Sequence, residues 1–385
     1  MIEGNNIRGY YFVGIGGIGM SNLALYFLKK GFEVAGYDRT ETFITRSLAE
    51  AGCNISYCDS VESIPYLFRE ASSARDVIVI YTPAIPLDNQ IISWFRNNGY
   101  RLFKRAEILG ELSKQTNTVA ISGTHGKTTI STMTAHLLKQ SHLDCSAFLG
   151  GISKNYGSNL ILGKSRFTVM EADEFDRSFH HLSPFISVVT SLDPDHLDIY
   201  GDLTSMVQAY IEFCGKTRKG GYLLVNSRIK EKIVKPAGVN FYTYGFSEGS
   251  DYVATGIRRE KNVYIFDIQT PDGVLNNIEF ALPGKVNVEN LTAAIAVSLL
   301  CGVSENEIKE AAKTFKGVIR RFDVRYDNHG VTYIDDYAHH PEEIRAFIMS
   351  VKEYYAGRRI TGIFQPHLYS RTRDLAKGVA SVLDE

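Results

Sequence analysis

No surplus of positive charge runs through this 385-residue sequence, in which 42 lysines and arginines stand against 43 aspartates and glutamates. A general nucleic-acid binder draws on such a surplus, so that class is excluded as the main reading; local basic sites for phosphate stay open. No apolar run approaches the roughly 20 residues of a membrane span. No basic-plus-apolar leader precedes the first strand-like run at Tyr10. The expectation is a cytoplasmic protein with no membrane partner. Cysteine is scarce and odd in number: Cys53, Cys58, Cys145, Cys214 and Cys301 are scattered. That pattern predicts reduced thiols, not a disulfide scaffold. Cys53 and Cys58 lack a second pair at metal-ligand spacing. Internal repeats and low-complexity segments are absent as well. Oligomeric state is not readable from these features.

What is present is an apolar content of 44% and a charged content of 22%, ordinary for a folded globular chain. The length favours two or three domains over one core. Strand-like and helix-like runs alternate, which predicts parallel α/β layers. A first region, 1–114, opens with a strand at 10–13, a glycine turn, a helix over about 20–30 closed by Gly31, and a strand at 33–37. A strand at 76–81 belongs to it too. The polar stretch 113–117 then marks a boundary. The second region, 115–318, has strands at 118–122, 167–170, 186–191 and 222–226. Residues 251–282 alternate apolar and polar around Pro271-Asp272-Gly273 and predict antiparallel hairpins added to the parallel core. Helices at 287–301 and 304–316 close it, the second with Ser304 and Glu307 at capping-box spacing. The third region, 319–385, should hold strands at 331–335 and 360–364 and helices at 341–355 and from about 373. It is shorter than the roughly 100–150 residues of such an α/β domain and reads as incomplete.

Two loops have the chemistry of phosphate binding. Gly14, Gly16 and Gly19 form a G-x-G-x-x-G pattern between a strand and a helix, where amides and a helix start can meet a pyrophosphate. Asp38 ends the next strand, where an acid can take ribose hydroxyls. Alone, this pattern fits a nicotinamide dinucleotide, another nucleotide diphosphate, or a plain structural turn. The second loop is Ser122-Gly123-Thr124-His125-Gly126-Lys127-Thr128-Thr129. It has two residues between its glycines where a full Walker A has four. It still offers small residues, helix-start amides, a lysine for β/γ-phosphates and a hydroxyl for Mg²⁺. Hydride transfer has no use for an ATP loop. Two nucleotide sites suit a ligase whose acceptor carries its own nucleotide handle.

Acidic and basic clusters follow other strands. Glu171-Ala172-Asp173-Glu174 and Asp193-Pro194-Asp195-His196-Leu197-Asp198 stand at strand C-terminal ends. Parallel strands deliver those ends to the edge that carries the phosphate loop, so Glu171 and His196 are expected to converge on metal near Lys127. The plain alternative is solvated loop charge. Asp335-Asp336-Tyr337-Ala338-His339-His340-Pro341 and Gln365-Pro366-His367-Leu368-Tyr369-Ser370-Arg371 end strands of the third region. Arg320-Arg321-Phe322-Asp323 sits at its start, where an arginine could swing onto a γ-phosphate or simply form a surface ion pair.

Taken together, these segments resemble the Mur ligase family along the whole chain. The loop from Gly123 to Thr128 marks the family. Three segments, beginning at Glu171, Asp336 and Phe364, match the member that joins L-alanine to UDP-N-acetylmuramate in peptidoglycan precursor synthesis. The resemblance implies a Rossmann-like UDP-substrate domain, a central ATPase with a parallel sheet plus antiparallel hairpins, and a Rossmann-like amino-acid domain. It implies ATP and Mg²⁺ as cofactors, and UDP-N-acetylmuramate and L-alanine as partners. By the same likeness, Gly123, Thr124, Gly126, Lys127, Thr128, Thr129, Asn287, Asn290, Arg321 and Asp336 serve ATP. Gly14, Gly16, Gly17, Ile18, Gly19, Asp38, Thr82 and His125 serve the UDP substrate. Tyr337, His339 and Arg371 hold the amino acid, with Arg371 on its carboxylate. Thr128, Glu171 and His196 serve metal, and Lys127, Glu171, His196 and Arg321 are the catalytic set. The sequence departs from the family in having Val286 where a histidine is common and Leu368 where some relatives carry arginine. Two other readings stand beside this one: a sister ligase for a peptide or another amino acid, and a nucleotide-binding fragment without turnover.

Overall fold

The structure, a computed structural model, describes residues 7–70, 73–86, 88–366 and 369–384. Among them three sheets form. The first sheet contains β1 (Gly9–Val13), β2 (Glu33–Tyr37), β3 (Asn54–Ser56), β4 (Val77–Tyr81) and β5 (Arg101–Lys104), in the order β3-β2-β1-β4-β5. Every pairing in it is parallel. All five residues of β1 are buried, because a central parallel strand is covered on both faces and therefore reads as an unbroken apolar run. The helix Ile18–Lys29 follows β1 and ends at Gly31, whose φ of +88° lets the chain reverse into β2.

The second sheet is larger. In chain order its strands are β6 (Asn117–Ser122), β7 (Ser146–Ser153), β8 (Ser158–Ile161), β9 (Phe167–Glu171), β10 (Ile186–Val189), β11 (Tyr222–Asn226), β12 (Asn240–Gly245), β13 (Tyr252–Glu260), β14 (Val263–Thr270) and β15 (Gly273–Phe280). Their spatial order is β15-β14-β13-β12-β11-β10-β6-β9-β7-β8. The centre is parallel, and β13, β14 and β15 form the expected antiparallel hairpins. The strand β6 lies between β10 and β9, so the loops after all three strands open at one edge. The helices Lys127–Gln140 and Lys285–Leu300 pack over this sheet and are almost wholly buried. The side chain of Ser304 and that of Glu307 cap the helix Glu305–Thr314 reciprocally, as their spacing predicted. No helix among the described residues is long and apolar enough to cross a membrane.

The third region differs from its expected strand pattern. The strand β17 (Val331–Asp335) pairs antiparallel with β16 (Asp323–Asn328), a strand that sequence reasoning did not foresee. Residues 360–366 adopt no regular element. A parallel strand is stabilised by burial on both faces, and here Ile363 is 94% exposed. The helices Pro341–Tyr354 and Tyr369–Leu383 complete the region, the second starting earlier than expected.

The regions are tied by specific contacts. The Asn159 amide donates to the Ile18 carbonyl at 2.5 Å and to Ser21 Oγ at 3.1 Å. Asn22 donates to the Leu149 carbonyl at 3.2 Å. Toward the third region, buried Asp323 accepts from Lys154 Nζ at 2.8 Å and from the Arg320 amide at 3.2 Å.

Candidate active site

The phosphate loop joins β6 to the helix Lys127–Gln140. Gly126 caps that helix in the left-handed region, φ +81°, and Gly123 has φ +132°. A Cβ on Gly123 would stand 1.9 Å from Thr190 Oγ1 and 2.9 Å from the Thr190 and Ser191 amide nitrogens, so only glycine fits between β6 and the end of β10. Thr124 and His125 are fixed from the same side, since the His125 amide donates to Ser191 Oγ at 2.8 Å. The side chain of Asn290, near the start of the helix Lys285–Leu300, lies beside Gly126 and donates to Asn287 Oδ1 at 3.2 Å. Asn287 in turn donates to the Pro283 carbonyl at 2.6 Å. Val286, at the departure noted above, is 39% exposed.

Lys127 folds back onto its own loop. Its Nζ donates to the Gly123 carbonyl at 2.6 Å and pairs with Glu174 Oε1 at 2.7 Å. Burial opposes its charge, but Glu174, Asp173 and Glu171 outweigh this and hold the ammonium above its usual range. Burial pushes Glu174 up to about 7, only partly countered by Lys127. The second oxygen of Glu174 is buried and has no hydrogen-bond partner among the described residues. Sequence reasoning quoted Glu174 within an acidic loop and gave it no role.

Thr128 Oγ1 donates to Glu171 Oε1 at 3.1 Å, and the Gly150 amide donates to Glu171 Oε2 at 3.2 Å. Burial raises the Glu171 carboxyl above its usual range, against Lys127 and Thr128. A hydroxyl beside a carboxylate at a phosphate loop is a hard-oxygen pair of the kind Mg²⁺ takes, since that ion keeps several waters and needs few protein ligands. His196 contacts Asp195 and Phe175: its Nε2 stands 3.7 Å from Asp195 Oδ2 and its ring meets Phe175 edge-on. Among the described residues no set of three His, Cys, Asp or Glu side chains is gathered at metal-binding range.

The third region reaches the same edge. His125 stands between two carboxylates, with Nε2 3.3 Å from Asp193 and Nδ1 3.4 Å from Glu343, both ion-pair distances. Burial works against the imidazolium, yet these two acids raise it to about 9. Arg321 lies 3.7 Å from Glu343, and its charge also reaches Glu171 and Asp336. Burial alone would raise Glu343; His125, Arg321 and His339 overcome it and hold the carboxyl far below its usual range. Sequence reasoning missed Glu343 because, three residues after His340, it reads as an ordinary helix-capping acid. Asp336 accepts from the Phe322 and Ala338 amides at 2.7 Å each, and burial raises its carboxyl in spite of them. Tyr337 lies under the guanidinium groups of Arg320 and Arg321. His339 Nδ1 contacts the Tyr337 carbonyl at 2.7 Å. The side chain of Arg371 and residues His367 and Leu368 lie outside the described residues. Five non-glycine residues around this edge have left-handed backbone: Asp176, Arg177, His196, Arg320 and Phe322. Such strain persists only where surroundings impose it, and it collects at functional sites.

The first glycine turn is simpler. The Gly16 amide donates to Asp38 Oδ2 at 2.7 Å, so Asp38 caps the turn itself. Gly14 has φ +87°, and a Cβ there would stand 2.6 Å from Thr82 Cγ2. Gly17 is the cap of the helix Ile18–Lys29, with no side-chain bond and no acid in the first turn. The Arg105 guanidinium rests on Gly19, a neighbour that no sequence signal identified.

Comparison with known proteins gives a consistent picture. Family models match over residues 9–117 (Mur ligase family, catalytic domain), 121–298 (Mur ligase middle domain) and 320–385 (Mur ligase, glutamate ligase domain). The UDP-N-acetylmuramate–L-alanine ligase of Parabacteroides distasonis is 49% identical across 99% of this chain and 83% of that relative. The enzyme of the same name from Phocaeicola vulgatus is 46% identical with the same coverage. Among solved structures, the UDP-N-acetylmuramate-alanine ligase of Thermotoga maritima is 27% identical and superposes with a TM-score of 0.81, over 98% of this chain and 88% of that one.

Proposed function

The chain belongs to the Mur ligase family, and we propose that it uses ATP to join L-alanine to the carboxylate of UDP-N-acetylmuramate, in the cytoplasm. The observation that carries this reading is its 46–49% identity, over 99% of its length, to relatives named for that reaction. The geometry supports it: the phosphate loop's His125 faces Glu343 of the third region, which also holds Arg321.

Two steps make up the reaction. A carboxylate oxygen of the sugar acid attacks the γ-phosphorus of ATP in line, ADP leaves, and an acyl phosphate results. The alanine amine then attacks the acyl carbon, loses a proton, and expels inorganic phosphate. Neither step needs a protein nucleophile, so the cysteines have no covalent role. Lys127 is positioned to leave Glu174 and take β/γ-phosphate oxygens, with Gly123, Thr124, Gly126 and Thr129 supplying the loop around them. Thr128 and Glu171 would hold Mg²⁺, and His196 a second ion, which when bound neutralises charge on the transferred group. Arg321 supplies a further cation from the linker. Asn287 and Asn290 are assigned to adenine and Asp336 to the ATP ribose. The turn at Gly14, Gly16, Gly17, Ile18 and Gly19, with Asp38 and Thr82, is assigned to the UDP end, and His125 to the sugar acid. Tyr337, His339 and Arg371 are assigned to alanine. We take 1–114, 115–318 and 319–385 as the units that close on one another and exclude water from the acyl phosphate.

The test is phosphate release by the purified chain with ATP and Mg²⁺. Sustained release should require both UDP-N-acetylmuramate and L-alanine. Release indifferent to both overturns the reading, and replacement of L-alanine by another amino acid would mark a sister ligase.

A further inference from the structure

The acid at the centre of the inter-region cluster has no role in the scheme above, although three of its neighbours do. Glu343 stands in the first turn of the helix Pro341–Tyr354 with its side chain 13% exposed. One oxygen is consumed locally: Oε2 accepts from the His339 amide at 3.2 Å and, weakly, from the His340 amide at 3.5 Å, and it lies 3.5 Å from His339 Nδ1. That capping arrangement fixes the direction of the other oxygen. Oε1 faces away from its own helix, toward His125 Nδ1 at 3.4 Å and Arg321 at 3.7 Å. His125 is held on its far side by Asp193 and lies against the His340 ring, with centroids 4.7 Å apart. The imidazole of the phosphate loop is thus gripped by one carboxylate from the central sheet and one from the third region.

We infer that Glu343 is a positioning residue of the ligation site, whose free oxygen sets His125 of the phosphate loop and Arg321 of the linker at a fixed separation when the third region packs against the central sheet. This rests on the ligase reading. A helix cap alone needs one oxygen and no burial. Arginine has a long flexible stem, and the linker around Arg321 is bent by left-handed residues on both sides, Arg320 at φ +62° and Phe322 at φ +44°. A buried acceptor gives that guanidinium one preferred place. The rival role is that the Glu343 carboxylate merely stands where an anionic group of a substrate binds. It predicts the opposite kinetics, because removing a stand-in tightens substrate binding.

The experiment compares Glu343→Gln, Glu343→Asp and, as a control, Glu342→Gln in the full chain. Glutamine can still cap the helix but carries no charge. Misplacement by an ångström costs on the order of a hundredfold, so kcat for substrate-dependent phosphate release should fall about 10- to 100-fold in Glu343→Gln. KM for ATP and UDP-N-acetylmuramate should stay within about threefold, the pattern of a group acting on the transition state. Glu343→Gln gives up the stability of the buried carboxylate charge and is assayed well below its own thermal midpoint; Glu343→Asp should recover part of kcat, and Glu342→Gln should match the unaltered chain. Unchanged kcat in Glu343→Gln, or a lower KM with kcat kept, overturns the inference. If the unaltered chain releases no phosphate in response to the two substrates, the ligase reading fails by itself. The positional claim is then read by ¹⁵N-histidine NMR at fixed pH. The His125 ring signals must move in Glu343→Gln and not in Glu342→Gln; signals unmoved in both overturn it.

Discussion

The two glycine-rich turns begin alike, a buried parallel strand running into a helix, and are finished differently. The first closes its glycine backbone on its own β-α-β unit, while Asn159 of the second sheet donates to the Ile18 carbonyl and Arg105 rests on Gly19. The Gly14 and Ile15 amides donate to the Tyr37 carbonyl at 2.7 and 3.0 Å, and the Gly16 amide donates to Asp38. The second is finished by distant parts of the chain: Glu174 on Lys127, Ser191 on His125, Asn290 beside Gly126, and Glu343 across from His125. The glycine backbone of the first turn is therefore closed locally. The second exists only when β9, β10, the helix Lys285–Leu300 and the third region are all in place. A given substitution should accordingly do more damage at the second.

The largest expected effect is at Lys127. Lys127→Ala should lower phosphate release on the order of 10³-fold, by removing the cation aimed at the transferred charge. Binding of UDP-N-acetylmuramate, followed by calorimetry, should be nearly unaffected, because the hydrogen-bond partners described for Lys127 are Gly123, Thr124 and Glu174, all outside the first turn. A parallel loss of that binding would erase the distinction between the two turns. Next comes Gly123→Ala. Its backbone sits at φ +132°, and the new methyl would press on Thr190 Oγ1 and on two backbone nitrogens that cannot move aside. A fall of about 2–4 kcal/mol in unfolding free energy is expected from denaturant titration.

The same contrast explains what was legible in the sequence. Local devices were read: the Gly14 turn between strand and helix, the Gly31 stop, the Ser304–Glu307 cap, and the hairpins around Pro271-Asp272-Gly273; that Asp38 accepts from the Gly16 amide was not. Strand ends were read as well, and that placed Glu171 on the same edge as Thr128. What went unread depends on contacts far apart in the chain. Glu174 looks like any loop acid until Lys127 folds onto it, and Glu343 like any capping acid until His125 and Arg321 surround it. Arg105 gives no hint that it will rest on Gly19. The antiparallel pairing of β16 with β17, and the lack of a strand at 360–366, follow from which neighbours are available to cover an edge. An apolar run such as 360–364 does not encode its neighbours.

A pH series sharpens the comparison. Residues 1–114 contain no histidine. The helix that begins at Lys127 carries His136, which is 1% exposed and contacts Tyr156 Oη, the Ala311 carbonyl and Thr314 Oγ1. Burial pushes its pKa down from 6.5 to about 4. The folded state thus keeps it neutral while the unfolded chain takes up a proton below 6.5. Its contribution is fully present above pH 6.5 and is lost as pH falls toward 4, at about 1.4 kcal/mol per unit and roughly 3 kcal/mol in all. Unfolding titrations of the unaltered chain and of His136→Gln at pH 7, 6 and 5 should converge as the pH drops. Parallel curves would show that His136 protonates equally in both states.

The smallest effect is expected where the motif alone would predict a large one. The third glycine of the first turn is usually explained by close packing of helix on sheet. Gly19 is not in the left-handed region, and a Cβ on it would meet the Arg105 guanidinium, 1.6 Å from one terminal nitrogen. That atom is the far end of a flexible side chain and can withdraw. In Gly19→Ala a helical residue loses a glycine penalty of up to about 1 kcal/mol, which offsets the cost of displacing the arginine. The net change in stability should stay within about 1 kcal/mol. Arg105, however, must leave a helix start that has no acid in its first turn, where an anion would be attracted. Gly19→Ala should therefore weaken UDP-N-acetylmuramate binding several-fold and leave KM for ATP alone. If it instead unfolds as readily as Gly123→Ala, the first turn is as rigidly built as the second.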